Sequence, residues 1–162
     1  MKKIPLNGKH GKGKFAIVDD DDYDELNKTK WFATSHGKTF YVHKDYIRKK
    51  TIHMHRVINK TPLGMETDHV NRNGLDNRKC NLRSCNRSKN NMNTSLKANN
   101  TSGYRGVVKH SARKGWKAQI RLNNKYIHVG YFNSPEEASV AYCKKAKELF
   151  KEFYPADMKE AR

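Results

Sequence analysis

Residues 67–83 read TDHVNRNGLDNRKCNLR, and this stretch decides the fold of the middle of the chain. Residues 67–70 are expected to end one strand, and residues 81–83 to begin another. Between them lies a polar loop rich in asparagine, aspartate and glycine, the residues typical of turns. From about Arg87 the chain can become helical. The pattern therefore predicts a strand, a loop, a second strand and a helix.

Asp68 and His69 place a carboxylic acid beside a histidine in a strongly basic chain. Phosphodiester hydrolysis needs a hard cation, a base that deprotonates water, and a group that holds the base. Oxygens of aspartate and asparagine suit Mg²⁺, and histidine, with its near-neutral pKa, suits the base. A lone histidine would be better explained as a partly buried residue among turn asparagines. An Asp-His pair alone is also a weak signal, and this pair indicates an enzyme only together with its spacing to Asn81-Leu82 and Asn90.

The spacing of Asp68-His69, Asn81-Leu82 and Asn90 resembles the HNH nuclease motif. The resemblance covers about residues 52–95 and is closest to the phage and intron homing-endonuclease branch, which is matched by the strings Met54-His55-Arg56, residues 68–78 and residues 81–83. It implies a ββα-metal module, a β-hairpin and a helix folded around one divalent cation, Mg²⁺ or another such as Mn²⁺.

The resemblance also implies residue roles. Asp68 and Asn90 would ligate the metal, and His69 would take a proton from the attacking water. Asn81 would tie the loop between the strands and help to orient His69. The metal would stabilise the departing 3′ oxygen, leaving 5′-phosphate and 3′-hydroxyl ends.

Two assignments in this motif stay open. The third motif residue is often histidine in the family, and Asn90 stands there in this chain, with Asn91 and Asn93 close enough to be the ligand instead. Arg78 and Arg83 are expected to bind DNA. They could brace the scissile phosphate through the planar guanidinium fork, or contact the DNA backbone generally.

The residues before the motif predict a small mixed β/α module. Residues 15–18 form an apolar run typical of a strand, and the acidic run 19–22 is typical of the first turn of a helix more than of a metal cluster. A hairpin is expected from residues 31–33 and 40–43 around a turn at 35–38. A strand at 51–55 leads into a short helix, and His53 and His55 there either approach the site or pack.

The C-terminal part predicts three antiparallel strands packed on one helix. The strands are expected at 104–109, 116–122 and 126–132. Ser134, Pro135 and Glu137 are typical of a helix start, because they can supply the cap, the first helical position and a capping box. The expected buried stripe of the helix is Ala138, Ala141, Tyr142, Leu149 and Phe153.

This C-terminal pattern resembles the plant ethylene-response-factor type of DNA-binding domain, whose sheet lies in the major groove. Alternation along residues 117–122 independently gives the sheet a packing face and a basic face. An exposed Trp116 among basic residues argues against a merely solvated face. His128 stands where the family often has tryptophan, which leaves that contact open. The DNA contacts implied by position are Arg105, Lys109, Trp116, Gln119 and Arg121.

The bulk composition favours a nucleic acid as partner. The 162 residues carry a net charge of +18, distributed as +6 in residues 1–66, +5 in 67–101 and +7 in 102–162. A basic field over every segment suits a polyanion. With 35% hydrophobic residues, several small cores are expected rather than a single large one. No transmembrane or signal segment is expected, and membrane attachment is disfavoured because no apolar amphipathic helix accompanies the charge.

Together these features predict an α+β protein with a nuclease domain at 1–98, a linker at 99–103, a sheet-and-helix domain at 104–154 and a tail at 155–162. The predicted function is metal-dependent hydrolysis of double-stranded DNA by a cytoplasmic, phage-encoded or homing type of nicking enzyme, acting as a monomer or weak dimer. The alternative is a non-catalytic transcription regulator that retains an inactive nuclease scaffold. An RNA-acting nuclease is a third hypothesis, disfavoured because the C-terminal part resembles duplex DNA binders.

Overall fold

The computed structural model describes residues 1–37, 39–46, 50–96, 98–111, 114–155 and 158. The chain forms two compact units, residues 1–87 and 88–162, and each contains strands and helices, in agreement with the α+β class. Lys38 in the expected hairpin turn, and most of the expected tail at 155–162, lie outside the described residues. The domain limits at 98 and 104 remain predictions.

A five-stranded sheet and a separate two-stranded hairpin make up the first unit. Its elements are β1 (Lys2–Asn7), β2 (Phe15–Val18), α1 (Asp20–Leu26), β3 (Trp31–His36), β4 (Thr39–Tyr46), β5 (Lys50–His53), α2 (Met54–Asn59), β6 (Glu66–His69), a 3-10 turn (Lys79–Asn81) and β7 (Leu82–Cys85). The sheet order is β2-β1-β3-β4-β5, with β1 parallel to β3 and all other neighbours antiparallel. The sequence analysis missed β1.

One apolar core joins the sheet to α2 and to the β6–β7 hairpin. The large Trp31 ring is fully buried there, and its indole N–H donates to the Leu26 carbonyl oxygen at 2.8 Å. Met54 of α2 and Leu82 of β7 belong to the same core. Because the hairpin shares this core, the sheet fixes the position of β6 and of the two residues, Asp68 and His69, that the motif singles out.

The acidic run at 19–22 begins α1, as the sequence predicts. Asp19 lies at the N-cap position, but its side chain makes no capping bond. Its Oδ2 instead accepts the backbone N–H of Lys79 at 2.8 Å, and the Asp22 carboxylate pairs with the Lys79 ammonium at 3.0 Å. The acids of α1 therefore hold the turn that leads into β7, besides favouring the helix N-terminus by charge.

A three-stranded antiparallel sheet of order β10-β9-β8 packs on one long helix in the second unit. The remaining elements of the chain are α3 (Arg87–Asn90), a 3-10 turn (Asn91–Asn93), β8 (Val107–Lys109), β9 (Trp116–Leu122), β10 (Lys125–Phe132), α4 (Pro135–Phe150) and a 3-10 turn (Lys151–Phe153). The predicted sheet-and-helix architecture is present, with a shorter first strand. Gly106 has a φ of +68°, and a Cβ there would overlap the Tyr142 ring. This turned backbone ends the extended run before Val107.

The start of α4 matches its sequence signals. The Ser134 hydroxyl accepts the Glu137 N–H at 3.2 Å, and the Glu137 carboxylate accepts the Asn133 N–H at 3.3 Å. The predicted stripe is wrong at Ala141 and Leu149, which are half-buried. The helical repeat continues from Ala138 and Tyr142 through other residues, because the buried positions recur every three or four residues. The buried residues of α4 are Ala138, Ser139, Tyr142, Cys143, Ala146 and Phe150.

Candidate functional site

The β6–β7 hairpin carries the central acid–histidine pair. Asp68 pairs in register with Arg83, and His69 with Leu82. Asp68 is only 3% exposed and His69 only 4%, although consecutive side chains of a strand point to opposite faces. The hairpin is therefore covered on both sides at this point. Two buried ionisable side chains in sequence are unusual, because burying a charge is costly unless it is compensated.

Arg83 supplies the compensation for Asp68. Its Nε and Nη2 atoms lie 2.8 Å and 2.7 Å from the same carboxylate oxygen, Oδ2. An arginine paired with a carboxylate in this way lowers the cost of burial through charge-assisted hydrogen bonds. The structure thus gives Arg83 a partner within the hairpin, and its expected contact with DNA phosphate remains a prediction.

His69 lies in an environment that keeps its imidazole neutral. Burial lowers the pKa of His69 below its ordinary value, while the hydrogen bond to the Asn77 oxygen and the charges of Asp68 and Asp76 act in the opposite direction. Its Nε2 lies 3.4 Å from the Oδ1 of Asn77. A neutral imidazole at neutral pH has a lone pair with which to accept a proton, as a general base requires.

Further histidine rings surround His69, among them His53 and His55, for which the sequence analysis left open an approach to the site or a packing role. His55 meets His69 edge to face with ring centroids 5.2 Å apart, and His53 stacks on His55 at the same separation. Tyr41 contacts both His55 and His69. Burial, with the neighbouring histidines and Arg56, lowers the pKa of His55 to about 3, and burial also lowers that of His53. The signal in the sequence was the pair His53 and His55 beside Arg56.

Asn81 ties the loop between β6 and β7. Its amide nitrogen donates to the Asp76 carbonyl oxygen at 2.7 Å, and its Oδ1 accepts the Asn71 N–H at 2.9 Å. The backbone N–H of Val70 also donates to the Asn81 carbonyl oxygen at 2.9 Å. Asn81 thus closes the loop from both ends. Its expected part in orienting His69 remains a prediction.

Arg78 is held by Asp76 in the same loop. Its Nε and Nη2 atoms contact the two carboxylate oxygens at 2.8 Å and 2.7 Å, and Asn71 donates to Asp76 at 2.8 Å. The Arg78 side chain holds the pKa of Asp76 below its ordinary value. Asp76 is buried, whereas the Arg78 side chain remains 34% exposed. Arg78 is therefore fixed in place with part of its guanidinium accessible, and its contact with DNA remains a prediction.

Asn90, the expected third motif residue, ends α3 and belongs to the second unit. It is half-buried, whereas Asn91 is exposed and Asn93 is buried. The choice among the three as metal ligand remains a prediction.

A metal site of hard oxygen donors fits the residues present. Within the described part of the chain, no group of three or more His, Cys, Asp or Glu side chains is arranged to hold a metal ion. Mg²⁺ needs no such group, because it is commonly bound by one or two carboxylates together with waters and substrate phosphates. Asp68 supplies a carboxylate of this kind, and asparagine amides supply neutral oxygens.

The second unit presents a sheet face on the side away from α4. Residues paired across the strands share a face, and the pairs Val108 with Lys117 and Lys117 with Tyr131 belong to the side opposite the buried Ala118. Tyr131 is 54% exposed and Tyr126 65%. We call this surface the outer face; it consists of Val108, Lys117, Gln119, Arg121, Tyr126, His128 and Tyr131.

The expected DNA contacts of this unit are only partly on the outer face. Gln119 and Arg121 lie there. Trp116 and Lys109 are paired with each other and share the face of Ala118, and Trp116 is half-buried. The prediction of an exposed Trp116 is therefore wrong, because that ring is on the helix side of the sheet. Tyr126 and Tyr131 are aromatic residues of the outer face that the sequence analysis missed. His128 of the same face and His110 both contact the Tyr131 ring.

Arg105 makes internal bonds. Its guanidinium donates to the carbonyl oxygens of Asn91 and Thr94, both at 2.7 Å, and to the Thr94 hydroxyl at 3.1 Å. These bonds attach the segment after α3 to the start of the sheet within the second unit. Contact of Arg105 with DNA remains a prediction.

In the described residues, no helix is sufficiently long and apolar to cross a membrane. No family model matches the chain, and no solved structure matches it. An uncharacterized HNH endonuclease of Acanthamoeba polyphaga mimivirus is 31% identical over 147 residues, which cover 88% of this chain and 74% of that protein. An ethylene-responsive transcription factor of Arabidopsis thaliana is 44% identical over 43 residues, which cover 25% of this chain and 10% of that protein.

The fold and the candidate site define a strongly basic α+β protein with a buried acid–histidine pair on a hairpin. Together with the extent of the mimivirus match, they assign the family. This chain belongs to the HNH endonuclease family.

Proposed function

We propose that this protein is a metal-dependent endonuclease that hydrolyses phosphodiester bonds of double-stranded DNA. The observation that carries the proposal is a buried imidazole, His69, directly beside a buried carboxylate, Asp68. Membership of the HNH family supports the same chemistry. The net charge of +18 supports a polyanionic substrate.

His69 is the proposed general base, which removes a proton from the attacking water. Asp68 and Asn90 are the proposed residues that would hold the cation, as the family resemblance implies. When bound, the divalent cation supplies Lewis-acid stabilisation of charge on the departing oxygen. Arg83 compensates the Asp68 charge, because two donors of its guanidinium lie within 2.8 Å of the carboxylate. The expected products carry 5′-phosphate and 3′-hydroxyl ends.

The outer face of the second unit is the proposed DNA-reading surface. Arg121 and Lys117 bring positive charge to it, and Tyr126 and Tyr131 bring exposed aromatic rings. A β-sheet can enter the major groove, where base edges are read. The local similarity to an ethylene-responsive transcription factor supports this role. The division of labour suits a homing or phage-encoded enzyme that chooses its site.

One metal motif per chain leads us to propose that a monomer cuts one strand at each binding event. A double-strand break would then need two chains or two visits. The second candidate function is a non-catalytic DNA-binding regulator, favoured by the same outer face. The two differ in whether DNA is cut at all.

Incubating the purified protein with supercoiled plasmid and Mg²⁺, with and without EDTA, tests the proposal. A plasmid library of phage and bacterial genomic fragments ensures that a target is present. We expect relaxed circles to appear when Mg²⁺ is present. No relaxed circles should appear when EDTA is added or when the His69→Ala variant replaces the wild type. A library that stays supercoiled under Mg²⁺ and Mn²⁺, while the protein binds it, would favour the regulator and contradict the nuclease.

A further inference from the structure

We propose that the loop between β1 and β2 is a further DNA-binding surface, on which Lys9 and Lys12 contact phosphates of the duplex backbone. The loop comprises residues 8–14, and we call it the basic loop. The inference extends the proposed function and rests on it in taking duplex DNA as the partner. It gives a role to a segment that belongs neither to the hairpin site nor to the outer face.

The basic loop lies in a part of the chain that has no acidic residue. Residues 1–18 contain five lysines and neither aspartate nor glutamate, and residues 8–14 read GKHGKGK. Lys9, His10 and Lys12 are exposed, whereas Lys14 is half-buried. Clustered positive charge on an exposed loop is the electrostatic pattern typical of a nucleic-acid partner.

The two exposed lysines of the basic loop are not neutralised by the fold. None of the ion pairs between described residues involves Lys9 or Lys12. The acids of α1 pair with cations elsewhere in the first unit, namely the N-terminus, Lys2, Lys28 and Lys79. Lys9 and Lys12 therefore keep their charge for a partner outside the chain.

Backbone hydrogen bonds give the basic loop a fixed shape. The N–H groups of Gly11 and Lys12 donate to the Gly8 carbonyl oxygen at 3.1 Å and 3.2 Å. The Lys14 N–H donates to the Gly11 carbonyl oxygen at 2.8 Å. A Cβ at Gly11 would lie 2.2 Å from the Asn7 carbonyl oxygen, so only glycine allows this close turn. Because the loop is already ordered, little conformational freedom is lost when it binds.

Contacts with β4 place the basic loop beside the loop that joins β6 and β7. The Lys14 ammonium lies over the Phe40 ring at 4.6 Å, and the His10 ring centroid is 6.5 Å from that of Phe40. Gly74 of the β6–β7 loop donates its N–H to the Thr39 hydroxyl at 3.0 Å. Both loops therefore pack on the start of β4.

The strand that follows the basic loop is bonded to the same β6–β7 loop. The Ile17 N–H donates to the Leu75 carbonyl oxygen at 2.8 Å, and the Asn77 N–H donates to the Ile17 carbonyl oxygen at 2.8 Å. The basic loop is thus fixed relative to the hairpin that carries Asp68 and His69. Duplex DNA carries one charge about every 1.7 Å of its axis, so backbone that continues past the hairpin supplies phosphates for the loop.

Contacts of this kind position DNA without reading its sequence. The lysine ammonium is a compact charge on a flexible stem, and phosphates are the same at every base pair. The basic loop should therefore bind all duplexes alike, in contrast to the proposed reading surface of the second unit. Each phosphate contact contributes about 0.9 to the slope of the logarithm of the binding constant against the logarithm of the salt concentration.

The test measures affinity of the full-length protein for two short DNA duplexes of unrelated sequence, in EDTA, by fluorescence anisotropy. The Lys9→Ala/Lys12→Ala variant should lower the salt slope by about 1.8 for both duplexes, because two phosphate contacts are lost. Its loss of affinity should then be about 12-fold larger at about 50 mM than at about 200 mM salt. Lys9→Arg/Lys12→Arg retains both charges and should keep the wild-type slope.

Lys2→Ala/Lys28→Ala is the matched control. It removes the same amount of charge from the same unit, but from lysines that pair with Asp24 and Glu25 of α1. We expect this variant to keep the wild-type salt slope. An unchanged slope in Lys9→Ala/Lys12→Ala, or an equal fall in both double variants, would overturn the inference.

A second measurement uses the wild-type protein and requires no variant to fold. Acetylation of surface lysines, quantified by mass spectrometry, is compared between the free protein and its complex with either duplex. Lys9 and Lys12 should be protected in the complex, whereas Lys28 should react equally in both samples. Equal reactivity of Lys9 and Lys12 with and without DNA would contradict their contact with phosphate.

Failure of this inference is distinguishable from failure of the proposed function, because both measurements are made without metal and without cleavage. A protein that binds DNA through the basic loop and never cuts it keeps the inference and refutes the nuclease. A protein that cuts DNA while the salt slope of Lys9→Ala/Lys12→Ala is unchanged keeps the nuclease and refutes the basic loop.

Discussion

The hairpin site of the first unit and the outer face of the second depart from the usual distribution of residues in opposite directions. The hairpin buries ionisable side chains, with Asp68 and His69 at 3% and 4% exposure. The outer face leaves Tyr126 and Tyr131 more than half exposed. Buried polar groups and exposed aromatic rings are the two informative exceptions to apolar-inside packing. The first arrangement suits chemistry, because it places an acid and a histidine side by side out of water, and the second suits contact with a large partner.

The largest effect is expected from removing the proposed base. His69→Ala should lower the rate of Mg²⁺-dependent plasmid cleavage by about 10²- to 10⁴-fold, the usual contribution of a positioned general base. His36→Ala is the matched control, because His36 is an exposed histidine of the same unit and should cleave at the wild-type rate. Cleavage rates from single-turnover plasmid assays make the comparison. Equal losses of cleavage rate in both variants would contradict a role of His69 as the general base.

The next effect concerns the compensated charge in the hairpin. Arg83→Leu leaves the buried Asp68 carboxylate without the guanidinium at 2.7–2.8 Å, and should lower the free energy of unfolding by about 3 kcal/mol in urea titrations. Lys145→Ala, which removes a surface pair with Glu148 at 2.7 Å, should change it by less than about 0.5 kcal/mol. Similar losses in the two variants would show that the hairpin is more hydrated than its burial indicates.

The outer face should contribute to affinity through its arginine. Arg121→Ala is expected to weaken binding to a target duplex by about 1–3 kcal/mol in EDTA, measured by fluorescence anisotropy at two salt concentrations. Arg105→Ala is the matched comparison, because that guanidinium is bonded to the carbonyls of Asn91 and Thr94. Arg105→Ala should lower the free energy of unfolding, and it should weaken binding to the duplex less than Arg121→Ala does. If Arg105→Ala lost more affinity for the duplex than Arg121→Ala, Arg105 would be the residue that contacts DNA.

The effect that is smallest at neutral pH, where it vanishes, is a pH dependence of stability from His55. Its pKa in the folded protein is about 3, below the ordinary value near 6.5, so the unfolded chain binds its proton first as the pH falls. Above about pH 6.5, His55 is neutral in both the folded and the unfolded chain, so it makes the free energy of unfolding no lower. Stability should then fall by up to about 1.4 kcal/mol per pH unit as the pH drops from 6.5 towards 3.

Replacing His55 with phenylalanine isolates that slope. His55→Phe should be less sensitive to acid than the wild type between pH 6.5 and 4.5 in urea titrations, while Val57→Ala, at an exposed position of α2, keeps the wild-type slope. Parallel pH profiles for His55→Phe and wild type would contradict burial of a neutral histidine at this position.

The sequence predicted the elements well where pattern and punctuation agree. The hairpin of β6 and β7, the start of α4 at Ser134 and the three C-terminal strands follow directly from turn residues, caps and alternation. The first strand, β1, was missed because its apolar residues Ile4 and Leu6 are few among lysines, and only pairing with β2 and β3 makes it a strand. The early part of the expected strand at 104–109 failed because Gly106 requires a positive φ.

The site was predictable in its residue types but not in its contacts. Asp68 and His69 stand out from spacing alone. Arg83 as partner of Asp68 follows only from the register of the hairpin, and Asn77 as neighbour of His69 follows only from the folded loop. Trp116 is not among the exposed basic residues, because the alternation of β9 puts it on the face of Ala118 and Ile120.

The most direct test of the account measures binding and cleavage of one target duplex in parallel for His69→Ala and Arg121→Ala. Affinity is measured in EDTA and cleavage is started with Mg²⁺. We predict that His69→Ala binds with wild-type affinity and does not cut, whereas Arg121→Ala binds the target more weakly and still cuts non-specific DNA at close to the wild-type rate. Loss of binding and cleavage together in both variants would contradict the separation of a chemical site from a DNA-reading face.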